Sequence, residues 1–585
     1  MSYSTQILEA CDRLSFKPRG NQLSQIDTIV GAMLDEQIRH VILSAPTGTG
    51  KSIIGAVVAE TVHQIKNPSS RANASFLLTA TNALAQQYYD TFASSADVND
   101  TTFRFIKGAA NFNCGALSTD DEPQTAENCS IRVFQKTGMS DIVAQFCDTC
   151  EFQRNKTLRD KSRHLITNYS YFFTDRLGAE LLARRSVCVF DEAHLLNDLF
   201  TEHCAISFSD RSLTQSAQEI TETLKLGSTD IFKVFKKISQ DLEREQITEQ
   251  NYLKILEILA GVYYEVYEAA HGEAERSISS PARYLKISKM AKKYYGRANK
   301  IFGFLEHQYP HVFEFKKRDA KAGVNDNEVI VKPIFVSGMF ETLVNADHNL
   351  LMSATISEQY AKRTLTLEPA DKVKYIRLEP QFDPQNKKVI FYKPLLLNYN
   401  SMKDPEVITK LKQNVVDLVS KHSSAEERGI VLAPSFATVQ QIADALRQKC
   451  SKKVKIFEHV RGQKLAEMIE MFKDDMSKSA ILLTPSGFEG LDLPGDLSRY
   501  QIILKAPFAA LGDKRIKTIA DTFPDVYSLL ALMKIVQGAG RSVRGPEDHA
   551  VTYMLDQGIQ RLWSGKPNEW KSEFTTVFTS SLNES

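Results

Sequence analysis

Ala45-Pro46-Thr47-Gly48-Thr49-Gly50-Lys51-Ser52 is the stretch whose residue types and spacing point most directly to chemistry. It follows Val41-Ile42-Leu43, a short apolar run with the pattern of a buried strand. It precedes 53–65, an apolar segment free of glycine after Gly55 that reads as a helix. Strand, glycine loop and helix in this order aim backbone N–H groups at a phosphate. Thr47, Gly48, Thr49 and Gly50 would line the loop. The Lys51 ammonium would reach the β- and γ-oxygens of a nucleoside triphosphate, and the Ser52 hydroxyl would ligate Mg²⁺. The strict pattern has glycine where Ala45 stands.

Asp191-Glu192-Ala193-His194 follows the strand-like Val187 to Phe190. A carboxylate at a strand's C-terminal end suits Asp191 to hold Mg²⁺ opposite the loop, and Glu192 to orient an attacking water. In isolation the same residues could cap a helix N-terminus; beside a phosphate loop they complete it. Far downstream stands Gln537-Gly538-Ala539-Gly540-Arg541-Ser542-Val543-Arg544. Arg541 and Arg544, three apart, share a helix face or a turn, and a guanidinium there would neutralise γ-phosphate charge in the transition state.

These groups need a scaffold, and the apolar runs supply one. Strand patterns at 76–79, 164–167 and 187–190 alternate with helical segments. The alternation returns at 349–352, 429–433, 481–484, 500–504 and 551–555. Such alternation implies α/β architecture, with parallel sheets covered on both faces. Between 201 and 328 strand signals fade and helix-compatible stretches dominate. Residues 201–280 carry 8 basic and 14 acidic residues, and 281–321 carry 11 basic and 3 acidic. In the basic part Lys286, Lys289, Lys292, Lys293, Arg297 and Lys300 alternate with Tyr284, Tyr294, Tyr295, Phe302 and Phe304, a pattern that suits phosphates and stacked bases.

The 585 residues are 43% apolar and 24% charged, ordinary for a globular chain, which argues against disorder, collagen or coiled coil. Lys plus Arg is 72 and Asp plus Glu is 71, so a generally cationic, histone-like chain is excluded while a local basic groove is not. The first sixteen residues lack a signal-peptide pattern, and no apolar stretch approaches the ~18 residues of a membrane span. The expected protein is soluble, not secreted and without a membrane partner. It would be cytoplasmic or nucleoid-associated, or nuclear in a eukaryote.

Cys114, Cys129, Cys147 and Cys150 cluster in the first third of the chain. Four thiolates hold an iron–sulfur cluster or a structural zinc, and the spacing does not choose between them.

The phosphate loop, Asp191-Glu192-Ala193-His194, Ser353-Ala354-Thr355 and 537–544 stand in the order of superfamily 2 helicase motifs. Lys107-Gly108-Ala109-Ala110-Asn111-Phe112-Asn113-Cys114 resembles the entry to the cysteine-bearing insertion of the XPD/DinG family. Ser486-Gly487-Phe488-Glu489-Gly490-Leu491-Asp492-Leu493-Pro494-Gly495 resembles its motif V. The resemblance runs from about Phe16 to Asp556. It implies two RecA-like motor domains. The first comprises 1–105, 156–200 and 330–365, with an iron–sulfur domain at 106–155 and a helical arch at 201–329 inserted in it; the second comprises 366–585.

The same resemblance implies a 4Fe–4S cluster on Cys114, Cys129, Cys147 and Cys150, where it would stiffen the insertion into a wedge. It places Arg19 and Gln22 beside the adenine, adds Gly490, Asp492 and Gln537 to the nucleotide site, and puts Thr79-Ala80-Thr81-Asn82 and Ser435 on the strand. ATP would lie between the motor domains, with Gln22, Lys51, Ser52 and Asp191 on one side and Arg541 and Arg544 on the other. The implied activity is ATP-driven 5′→3′ movement of a monomeric motor on single-stranded DNA, unwinding tailed or forked duplex, in the manner of a DNA-repair enzyme. Two other readings share these residues: a translocase stripping proteins or RNA from DNA, and a nucleotide-gated DNA-binding scaffold. Where the family often has Asp-x-Arg after motif VI, this chain has Asp556-Gln557-Gly558.

Overall fold

A computed structural model describes the chain apart from residues 1, 71, 94–101, 114–124, 127–149, 177–181, 225–229, 278, 308, 320–325, 338–339, 341–345, 368–371, 381, 489–492, 494, 544, 546, 566–568 and 582–585. The apolar runs become β1 (His40–Ser44), β2 (Ser75–Thr79), β3 (Phe103–Phe105), β4 (His164–Asn168) and β5 (Arg185–Asp191). Every residue of β1, β2 and β5 is buried, as strands covered on both faces require. Next come β6 (Ile206–Ser209), β7 (His311–Lys316), β8 (Glu328–Pro333), β9 (Ala346–Ser353) and β10 (Val373–Arg377). One seven-stranded sheet has the order β10-β1-β9-β5-β2-β4-β3, and its β5-β2-β4-β3 part is parallel.

The rest of the chain supplies β11 (Lys387–Leu395), β12 (Gly429–Leu432), β13 (Lys455–Glu458), β14 (Ala480–Thr484), β15 (Tyr500–Ile503), β16 (Ala550–Asp556) and β17 (Thr575–Thr579). They form a second seven-stranded sheet, β13-β14-β12-β15-β16-β11-β17, in which every neighbouring pair is parallel. Its core packs Val431, Ile481, Leu483, Ile502 and Tyr553 against Val415 and Val419 of helix Pro405–Ser424 and Ile442 and Leu446 of helix Phe436–Cys450.

The chain divides into two compact units. One comprises Met1–Ile42, Ser52–Leu351 and Ala361–Lys374; the other comprises Leu43–Lys51, Met352–Tyr360 and Tyr375–Ser585. The phosphate loop and Ser353-Ala354-Thr355 thus belong to the second unit, and Ser52, Asp191 and Glu192 to the first.

The region expected to be a helical insertion does contain long helices, Asp210–Leu224, Asp230–Glu243, Tyr252–Arg276 and Pro281–His307. It also contains strands that the sequence reading did not foresee. β6-β8-β7 is an antiparallel sheet, with Val329 and Val331 fully buried. Its strands are short and half-buried, so each carries a weak period-two signal beside long helical stretches.

Candidate nucleotide site and strand-facing surfaces

β1, whose last two residues open the second unit, runs into a loop of that unit that turns on two glycines in left-handed backbone, Gly48 (φ 86°) and Gly50 (φ 76°). Helix Lys51–Lys66 starts immediately afterwards, so its unpaired first-turn N–H groups open onto the loop. The Thr49 hydroxyl donates to the Pro46 carbonyl at 2.8 Å and closes the turn. A Cβ on Gly48 would stand 2.3 Å from Cε2 of Phe382. The Thr47 hydroxyl donates to the Gly540 carbonyl at 3.1 Å and accepts from the buried Lys387 ammonium at 3.4 Å. Loop and 537–544 segment therefore meet within this unit. Beside them Glu573 is buried and accepts from Arg377 Nη2 at 2.8 Å. Burial raises its carboxyl above the usual range, against the pull of Lys387, Arg377 and Lys51. Phe382, Lys387 and Glu573 were not foreseen; they come from segments with no pattern of their own.

Also in the second unit, Gln537 donates to the Thr355 hydroxyl at 2.9 Å, which joins two of the sequence motifs. Arg541 is buried and donates to the Phe488 carbonyl. Arg544, Gly490 and Asp492 lie outside the described residues.

In the first unit, Asp191 ends β5 and is 7% exposed. Its Oδ1 accepts the Glu192 N–H at 3.0 Å, and the Tyr169 hydroxyl donates to its carbonyl at 2.7 Å. Its Oδ2 accepts the hydroxyl of Tyr88, and the Ser52 side chain lies close to that phenol. Burial, then the Asp191 charge, holds the Tyr88 phenol well above its usual range, so it stays protonated and donates. Glu192 takes left-handed backbone (φ 52°), a conformation that a non-glycine residue keeps only where the surroundings enforce it. Its Oε2 lies 3.3 Å from His194 Nδ1. The Tyr88 phenol thus has the Asp191 carboxylate and the Ser52 side chain beside it, oxygen donors of the kind that Mg²⁺ takes. Elsewhere in this unit Arg19 is exposed, and its backbone N–H donates to Gln22 Oε1 at 2.7 Å.

Of the four clustered cysteines, Cys114, Cys129 and Cys147 lie outside the described residues. Cys150 is a half-buried free thiol at the start of helix Glu151–Arg159. It packs on a small core of Phe112, Ala126 and Phe152, in which the two rings meet edge-on at 5.3 Å. Residues close in sequence to Cys114, Cys129 and Cys150 are therefore held together. Asn111, at the root of this segment, accepts from Asn82 Nδ2 at 3.4 Å, and Asn82 Oδ1 accepts from Asn168 Nδ2 at 2.6 Å. Asn168 caps the short helix that begins with Tyr169.

Thr81 and Ser435 are both helix N-caps, bonded to Leu84 and Thr438. Next to Ser435, the strand ends of the second unit's sheet surround a cleft of about 750 Å³. Lys505, Lys534, Phe488, Phe508 and Tyr527 line it, and the last two rings stack at 5.1 Å. The sequence reading missed this cleft because its residues meet only through the crossover topology. On helix Pro281–His307 the expected mixture separates. Tyr294 and Phe304 are core residues, while Phe302 and the ammonium-bearing Lys286, Lys289 and Lys292 are exposed. Lys293 pairs with Glu219 at 2.5 Å.

A phosphate loop on a parallel sheet, a buried strand-end carboxylate and a second parallel sheet define a two-unit P-loop nucleoside triphosphatase fold. Residues 15–229 match the type III restriction enzyme res subunit model and 418–574 the helicase C-terminal domain model. The chain is 23% identical to the ATP-dependent DNA helicase YoaA of Escherichia coli (strain K12), over 93% of this chain and 92% of that protein. It is 23% identical to the ATP-dependent DNA helicase DinG of Photobacterium profundum, over 72% of this chain and 69% of that one. The fold is shared with the solved XPD helicase (TM-score 0.58, 16% identity, 96% of this chain and 100% of that one) and with Xpd4 of S. tokodaii (0.54, 14%, 96% and 100%). Over most of its length the chain is thus similar in sequence to ATP-dependent DNA helicases of the YoaA and DinG kind, and in fold to XPD.

Proposed function

We propose that this protein is an ATP-dependent DNA helicase that moves 5′→3′ on single-stranded DNA and opens tailed or forked duplex. The observation that carries the nucleotide reading is the loop on Gly48 and Gly50 opening a helix at Lys51-Ser52, together with buried Asp191 at the end of its strand, held by the Tyr88 hydroxyl. Lys51 binds the β- and γ-phosphates. Glu192 orients the attacking water. Arg541 and Arg544 answer the charge that develops on the transferred phosphoryl group. Arg19 and Gln22 bound the adenine, and Gly490, Asp492 and Gln537 complete the site. Mg²⁺ on Ser52 and Asp191 supplies neutralisation of phosphate charge.

The Thr47–Gly540 hydrogen bond supports a loop whose state is sensed by the 537–544 segment. Lys505, Lys534 and the Phe508–Tyr527 stack suit a strand, with cations for phosphates and ring faces for bases. Thr79–Asn82 and Ser435 flank that path. A 4Fe–4S cluster on Cys114, Cys129, Cys147 and Cys150 supplies a cross-link for a segment with a very small apolar core. The domain layout is 1–105, 156–200 and 330–365 for the first motor domain, 106–155 for the cluster domain, 201–329 for the arch and 366–585 for the second motor domain.

The test is strand displacement on 5′- and 3′-tailed duplexes, with DNA-stimulated ATP hydrolysis measured alongside. Unwinding of the 5′-tailed substrate only is expected, and Lys51→Ala abolishes hydrolysis while retaining DNA binding. Hydrolysis without displacement would favour a translocase; no hydrolysis, a scaffold. Turnover retained in Lys51→Ala overturns the site.

A further inference from the structure

Tyr88 occupies a place that the phosphate-loop motifs do not account for. It lies on helix Asn82–Phe92, on the face that buries Ala85, Tyr88 and Phe92 at helical spacing. Its ring packs edge-on against Phe92 at 5.6 Å, and only 5% of the residue is exposed. A ring at this position needs no hydroxyl to fill the space. The hydroxyl is nevertheless directed at Asp191 Oδ2, one of the groups proposed to hold Mg²⁺, with the Ser52 side chain close by. The other carboxylate oxygen is fixed by the Glu192 N–H, and the Asp191 backbone by Tyr169.

We propose that Tyr88 is a positioning residue for the metal. Its hydroxyl orients the Asp191 carboxylate so that the cation is bound with nucleotide at little cost in rearrangement. The inference rests on the assignment of Ser52 and Asp191 as Mg²⁺ ligands. Groups that orient metal ligands from behind are worth about 10–100-fold in metal affinity when removed.

Tyr88→Phe in the full chain removes one oxygen and keeps the ring. Three quantities are read: the Mg²⁺ concentration for half-maximal DNA-stimulated ATP hydrolysis at saturating ATP, the affinity for a fluorescent ADP with Mg²⁺ and with EDTA, and the melting temperature. The expected result is a Mg²⁺ requirement raised about ten-fold, weakened ADP binding with Mg²⁺ and unchanged binding in EDTA. In an Asp191→Asn background the same substitution should add nothing to the Mg²⁺-dependent part of ADP binding. Phe92→Leu, which loosens the same face without touching the hydroxyl, should lower the melting temperature and leave the Mg²⁺ requirement alone.

An unchanged Mg²⁺ requirement in Tyr88→Phe overturns the proposal. So does equal weakening with and without Mg²⁺, an additive effect on Asp191→Asn, or failure of Tyr88→Phe to fold, since each assigns the hydroxyl a purely structural role. If the native chain hydrolyses no ATP, the helicase reading fails; the ADP titrations still decide the role of Tyr88.

Discussion

Gly48→Ala separates backbone from packing at the phosphate loop. At φ 86° an alanine pays the left-handed penalty of about 1–2 kcal/mol. Its methyl would also stand 2.3 and 2.7 Å from two ring carbons of Phe382, where carbon atoms prefer about 3.5–4.0 Å. The ring must move by about 1 Å, and displacements of this kind in packed sites cost about 1–3 kcal/mol. The combined cost is about 2–5 kcal/mol against the nucleotide-binding form of the loop, or a loss in affinity of about 30-fold or more. Titration of a fluorescent ATP analogue measures it. Gly48→Ala with Phe382→Ala should recover the packing share and leave the backbone share, a residual loss of about 5–30-fold. Binding by Gly48→Ala equal to the native chain, or a double variant no better than the single, refutes the reasoning: the loop would then not rest on Phe382 when nucleotide binds.

Asp556 is 2% exposed and accepts backbone N–H groups from Leu397 (3.3 Å), Ala506 (2.9 Å) and Gly558 (2.8 Å). Asp556→Ala should cost about 3 kcal/mol in urea unfolding, with Asn recovering part of it; a loss under about 1 kcal/mol contradicts this. His348 is buried, with its Nε2 accepting from the Lys66 ammonium at 2.6 Å, and burial first and Lys66 second depress its pKa from 6.5 to about 4. Between these values the unfolded chain takes up a proton that the folded one refuses, so stability falls as pH drops through this window, by about 2 kcal/mol at pH 5. His348→Leu should show a smaller loss of melting temperature between pH 7.5 and pH 5 than the native chain, and equal losses would dismiss the effect. Protein purified without oxygen should be brown, with broad absorbance near about 400 nm. Cys150→Ser should lower its iron content, and a colourless, zinc-loaded native chain rules the cluster out.

The two parallel sheets were legible because their strands are buried on both faces and so appear as unbroken apolar runs, as in β1, β5 and β14. The antiparallel β6-β8-β7 was not, since short strands with one wet face leave little pattern between long helices. The phosphate loop and Asp191 were legible because each is a local string with its own chemistry. Tyr88 was invisible: it meets Asp191 across 103 residues, and nothing in its neighbourhood marks a tyrosine that faces a carboxylate rather than a core. The Lys505, Phe508, Tyr527 and Lys534 cleft escaped for the same reason, being assembled by crossovers. On helix Pro281–His307 the rings could not be sorted by spacing alone, and Tyr294 and Phe304 proved to be packing residues.

Asn82 bonds Asn111 at one end of its amide and Asn168 at the other. The first partner stands at the base of the cysteine-bearing segment; the second adjoins Tyr169, and Asn82 itself begins the helix that carries Tyr88. The base of that segment is therefore pinned to the same bracket as the two phenols on Asp191. A shift of that base would therefore reach Asp191 through three amides and two phenols rather than through loose chain.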